Sequence, residues 1–127
     1  MNKAEVNEML PKAYELLEKH NIVEKNKINK SWYGQISAFG SAISTGSLLS
    51  AIAFFSQQGS CSVKREKLLK VINELVNKSK QDCDLFKYVT EKNKSGHDII
   101  AKDSIINATI ATKLAMKLYE LTDEKAW

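Results

Sequence analysis

The stretch Ser31–Val63, SWYGQISAFGSAISTGSLLSAIAFFSQQGSCSV, holds no charged side chain. Lys25, Lys27 and Lys30 precede it, and Lys64, Arg65, Lys67 and Lys70 follow it. Its large apolar residues, among them Trp32, Ile36, Phe39, Ile43, Leu48, Ile52 and Phe55, are interleaved with Ser, Thr, Ala and Gly. A membrane span wants about 20 predominantly apolar residues. Between Ile36 and Phe55 nearly every second position is small or hydroxylated, so the stretch reads as the centre of a helical domain with little solvent-facing surface.

Within it, Trp32, Ile36, Phe39 and Ile43 fall on one stripe of a helix that Asn29 or Ser31 can cap. The other side of that helix is built from Gly34, Ser37, Ala38, Ser41 and Ala42. Small residues there let a neighbouring backbone come close. Thr45, Gly46 and Ser47 break the helix, and a short, very apolar one follows through about Gln57.

Outward from this centre the chain reads as further helices. Upstream, Met9, Ala13, Leu16 and Leu17 keep the three-and-four spacing of an amphipathic helix. Pro11 bends that helix or sits in the first turn of its second half. The polar segment His20–Lys30 reads as a connection.

Downstream, Gln58, Gly59 and Ser60 form a loop, and Ser62 can cap a helix burying Leu68, Leu69, Ile72, Leu75 and Val76. At 100° per residue, Lys64, Lys67, Lys70 and Lys78 gather on its opposite face, with Arg65 at the edge and Glu74 among them. Asp82 or Asp84 caps a shorter helix carrying Leu85, Phe86 and Val89.

A loop through Asn93 to Gly96 leads to a last helix over about Asp98–Leu121. It has one apolar face of Ile99, Ile106, Ile110, Leu114 and Leu121, and a second of Ile105, Ala108, Ala115, Met116 and Tyr119. A helix apolar over most of its circumference is covered on two sides. Ile105, Met116 and Tyr119 are the residues expected to meet another protein chain, or else to complete the internal core.

The expected fold class is all-α, a compact bundle of five to six helices with no sheet, because no segment sustains period-two alternation. A single proline and the absence of Asn-Gly, Asp-Gly and Gly-Gly leave little material for tight hairpins. The 127 residues form one domain, with an N-terminal helix and connection over about 1–30 and a helical core over about 31–121. The hydrophobic fraction of 43% and charged fraction of 27% are those of an ordinary globular protein. No secretory pattern opens the chain, so a cytoplasmic location is expected. The net charge of +4 calls for a polyanionic partner only if it is gathered on one face.

Catalysis finds little support. Cys61 and Cys83 lack zinc-ligand spacing and read as free thiols, so no metal and no cofactor are expected. His97-Asp98 resembles the paired ligands of metal-dependent phosphohydrolases, which need further histidines, and only His20 remains. His20 and His97 could share acid–base cleavage of RNA only if something brought them together. His20 at a helix C-terminus, and Asp98 early in another helix, are already explained by the helix dipole. No glycine-rich phosphate loop or catalytic triad spacing is present.

The order of the pieces carries a resemblance. Tyr33 opens a neutral helix, a small-residue turn follows at Gly46 and Ser47, and then comes Leu48 with the run Ala51-Ile52-Ala53-Phe54-Phe55. This pattern resembles the small subunit of type III-B CRISPR effector complexes, the Cmr complexes. The segment Arg65–Val76, the helix around Leu85-Phe86-Lys87-Tyr88-Val89 and the long last helix match the family's order and lengths. The likeness covers most of the chain from Ser31 onward. Three positions depart from it. The turn reads Gly46-Ser47-Leu48 rather than placing its glycine directly before the leucine. Gly40 stands where many relatives carry proline, and Ala115-Met116-Lys117 stands where the family tends to tryptophan followed by basic residues.

The resemblance implies a non-catalytic, all-α subunit that stacks with copies of itself as a minor filament beside the backbone subunits. It further implies contact with the guide–target RNA duplex, for which Lys64, Arg65, Lys67, Lys70 and Lys78 are the candidate residues. Base pairing reads the sequence in such complexes, so phosphate contacts suffice. Two other classes stay open: a purely protein-binding helical adaptor whose lysines are a solvated face, and the small subunit of a type III-A complex.

Overall fold

The computed structural model describes residues 2–56, 66–77, 84–94, 96 and 98–122. Helix α1 (Lys3–Lys19) starts at Asn2, whose side chain accepts a hydrogen bond from the Glu5 amide. Pro11 lies inside it without ending it. The helix stops at Asn21, which takes φ 60°. There the Ile22 amide donates to the Leu17 carbonyl (2.9 Å) and the Asn21 amide to Glu18 (3.1 Å), while Ile22 and Leu17 are both buried. That is a Schellman stop with its apolar contact.

The connection after α1 holds a sheet, which corrects the expectation of none. Strands β1 (Val23–Glu24) and β2 (Lys27–Asn29) pair antiparallel across Lys25 and Asn26, both at positive φ. Two left-handed residues in a two-residue loop make the turn that suits a hairpin, here without glycine. Strand β3 (Glu120–Thr122) adds to β2 in parallel, giving the order β1-β2-β3. Pieces of two or three residues are too short to display alternation, so periodicity could not announce them.

Asn29 ends β2 and caps α2 (Lys30–Thr45), accepting from the Ser31 amide at 2.8 Å. Trp32, Ile36, Phe39 and Ile43 are buried as their spacing predicts. Gly34, Ala38 and Ser41 on the other side are exposed, while Ser37 and Ala42 are half-buried. Ser47 caps the short α3 (Leu48–Phe55).

Helix α4 (Glu66–Val76) buries Leu68, Leu69, Val71, Ile72 and Leu75. Helix α5 (Leu85–Lys94) is capped by Asp84, which accepts from the Lys87 amide at 2.8 Å. The expected loop at Gln58, Gly59 and Ser60, both cysteines, His97 and the candidate caps Ser62 and Asp82 lie outside the described residues.

Helix α6 (Asp98–Met116) is the hub, packed against α1, α2, α4 and α5. Ala101, Ala108, Ala111 and Ala115 are fully buried, and their small side chains let the other helices approach. Thr109 and Thr112, also buried, turn their hydroxyls back to the Ile105 and Ala108 carbonyls. Asn107 pins α1: its Oδ1 accepts from the Asn2 amide (3.1 Å) and its Nδ2 donates to Glu5 (3.0 Å). The helix ends at Met116 rather than near Leu121. The amides of Lys117, Leu118 and Tyr119 bond three residues back, a tightened turn that feeds β3. Tyr119 stacks on Tyr14 at 4.4 Å between centroids and donates its hydroxyl to the Tyr14 carbonyl (2.9 Å). Burial, then the Tyr14 contact, pushes the Tyr119 phenol well above its ordinary range.

No helix among the described residues is long and apolar enough to cross a membrane.

Candidate nucleic-acid interface

Of the five cationic residues expected to meet RNA, the described structure holds Lys67 and Lys70; Lys64, Arg65 and Lys78 lie outside the described residues. Lys70 is exposed and lines an open cleft of about 170 Å³ between α3, α4 and α5, whose lining also includes Glu66, Asn73, Asp84 and Phe86. Lys67 is half-buried. By helical geometry it stands about 60° around α4 from Lys70, on the side that carries Val71 and Glu74. Acids at Glu66, Glu74 and Asp84 therefore dilute this face within the described span.

Glu74 joins α4 to the end of α1. It accepts from Lys19 Nζ at 2.7 Å and from His20 Nε2. Burial pushes the carboxyl upward, but the hydrogen bonds and positive charge of Lys19 and His20 outweigh that and hold it below its ordinary value. The His20 ring is thus committed to a hydrogen bond between α1 and α4. Among the described residues, no group of three or more His, Cys, Asp or Glu side chains is placed to hold a metal.

The protein-facing residues need correction. Ile105 and Met116 are fully buried and Tyr119 nearly so, all within the core formed with α1, α2 and α4. They complete the interior and offer nothing to another chain. The other apolar face of α6 points outward: Ile99 and Leu114 are exposed, Ile106 and Ile110 half-buried, and Leu118 and Leu121 continue the exposed run. Both faces were visible in the sequence. Which one looks inward depends on the pull of α1 on Asn107 and Tyr119, which no periodicity carries.

A second cationic site was not expected at all. Tyr33, in the first turns of α2, packs one part of its ring on the core and leaves the rest at the surface. The ammonium groups of Lys113, in the last turn of α6, and Lys117, just beyond its end, stand 5.3 and 5.9 Å from its centroid. Each contact contributes about 0.5–1 kcal/mol at an exposed site. The parallel pairing of β2 with β3 brings the start of α2 and the end of α6 together, with Asn29 opposite Thr122.

Compared with protein-family models, with curated proteins and with solved structures, the chain matches none.

Proposed function

We propose that this chain is a non-catalytic helical assembly subunit of an RNA-guided effector complex, of the kind that the type III-B CRISPR small subunit represents. In this reading it acts in the cytoplasm in antiviral defence. It stacks beside backbone subunits and copies of itself, while surface lysines touch the guide–target duplex. The observation that supports it best is the outward apolar run of α6, Ile99, Ile106, Ile110, Leu114 and Leu118, on a domain whose core is already filled. Ile99, Leu114 and Leu118 are exposed along it while Ile106 and Ile110 are half-buried against the core, and exposed apolar side chains grouped in this way mark a protein-contact surface.

An adaptor that binds protein alone is the competing reading, and the acids beside Lys67 and Lys70 favour it. Co-expression with the genes that neighbour its own is the test. Co-purification with a backbone subunit and RNA, lost on Ile99→Glu/Leu114→Glu with the fold retained by circular dichroism, is the expected result. A chain that stays monomeric by light scattering and carries neither protein nor RNA overturns the reading.

A further inference from the structure

The cluster between α2 and α6 carries more than the α4 face does. We propose that Tyr33, Lys113 and Lys117 form a phosphate-binding site for the backbone of RNA; this rests on the reading of the chain as an RNA-contacting subunit.

Two ammonium groups gathered at one aromatic ring repel each other, and the ring's quadrupole offsets that only in part. No acid among the described residues lies within ion-pair distance of either. The dipole at the C-terminal turn of α6 favours lysines there, yet it does not require both heads to converge on Tyr33. An anion seated between them removes the repulsion.

The surroundings add positive potential. The first turn of α2 has no acid to balance the positive end of its dipole. The Tyr33 hydroxyl makes no hydrogen bond to a described residue and is a further donor. Because β2 and β3 fix the two helix ends, the site is built before the ligand arrives, and little ordering is needed on binding.

Lysine is a point charge with three donors and meets phosphate oxygens in many orientations. Beside the cluster, the exposed Gly34, Ala38 and Ser41 present no bulky or charged side chain to a duplex lying along α2. A β-carbon at Gly34 would meet nothing within 4 Å.

Fluorescence anisotropy of a labelled RNA duplex, titrated with the protein between about 50 and 200 mM salt, tests this. Wild-type affinity should fall steeply with salt. Lys113→Ala/Lys117→Ala should reduce the slope of log K against log salt by about 1.5–2, one phosphate per lysine. Tyr33→Phe should retain most of the affinity and Tyr33→Leu should lose it, because the ring positions the lysines. If the wild type binds and the double variant binds with the same slope, the site is elsewhere although the RNA reading stands. Wild-type protein that binds no RNA at any salt sinks both. Displacement by poly-glutamate as effective as by unlabelled duplex overturns the site as well, and assigns it to an acidic protein surface.

Discussion

Two isoleucines on α6 test its orientation directly. Ile105 is 0% exposed and Ile99 is 72% exposed, on the same helix and with the same side chain. Truncating Ile105 to alanine removes burial worth about 1.5–3 kcal/mol and leaves a cavity at the junction with the surrounding helices. The expected cost is about 3–4 kcal/mol, within the range for isoleucine truncation in a packed core. Ile99 keeps only about a quarter of its surface from water, so its truncation forfeits well under about 1 kcal/mol. Alanine's better helix propensity returns about 0.4 kcal/mol of that, and the net change stays within about 0.5 kcal/mol. Urea unfolding followed by circular dichroism reads the difference. With a slope of about 2 kcal/mol per molar, Ile105→Ala lowers the midpoint by about 1.5–2 M, whereas Ile99→Ala leaves it nearly unchanged. Equal shifts, or a larger one for Ile99→Ala, would mean that α6 presents its other face to the core, and the reasoning about both surfaces would fail with it.

The Glu74 pair adds a pH signature. Because the folded carboxyl titrates below its ordinary value, its contribution is full above about pH 4.5 and is lost as pH falls through the folded value. Glu74→Gln should therefore be less stable than wild type by up to about 1 kcal/mol at pH 6, with the gap narrowing as pH falls below about 4.5; a gap that stays the same size throughout an acid titration contradicts this. Asn107→Ala strands the Asn2 amide and frees Glu5, and should cost about 1–3 kcal/mol. Hydrogen exchange should show the loss concentrated in the first turn of α1; uniform acceleration across all six helices would count against Asn107 as the pin.

Much of the helical plan was legible in the sequence. The stripe Trp32, Ile36, Phe39, Ile43 is a period-3.6 pattern long enough to fix both a helix and its buried side, and Asn29 and Asp84 are caps whose side chains perform the role their type suggests. The hairpin was not legible, because its turn relies on Lys25 and Asn26 adopting the left-handed region without a glycine to signal it. The end of the last helix is hidden for a related reason. Leu118 and Leu121 extend the helical period, yet pairing of Leu121 with Ile28 pulls that segment into a sheet. The Tyr33–Lys113–Lys117 cluster joins residues about 80 positions apart, and only the β2–β3 pairing reveals it. The lone signal was Tyr33 itself, an aromatic beside the cationic Lys30 at the head of a neutral helix.

That α1 lies chiefly on α6 has a consequence during synthesis. About a hundred residues separate the end of α1 from the end of α6, and at about 5–20 residues per second the ribosome takes roughly 5–20 s to deliver the partner. Throughout that interval the main packing surface of Val6, Met9, Leu16 and Leu17 is still unmade. The nascent chain thus presents a bare amphipathic helix for seconds, ample time for a chaperone to hold it, and the domain locks shut only when its last helix arrives.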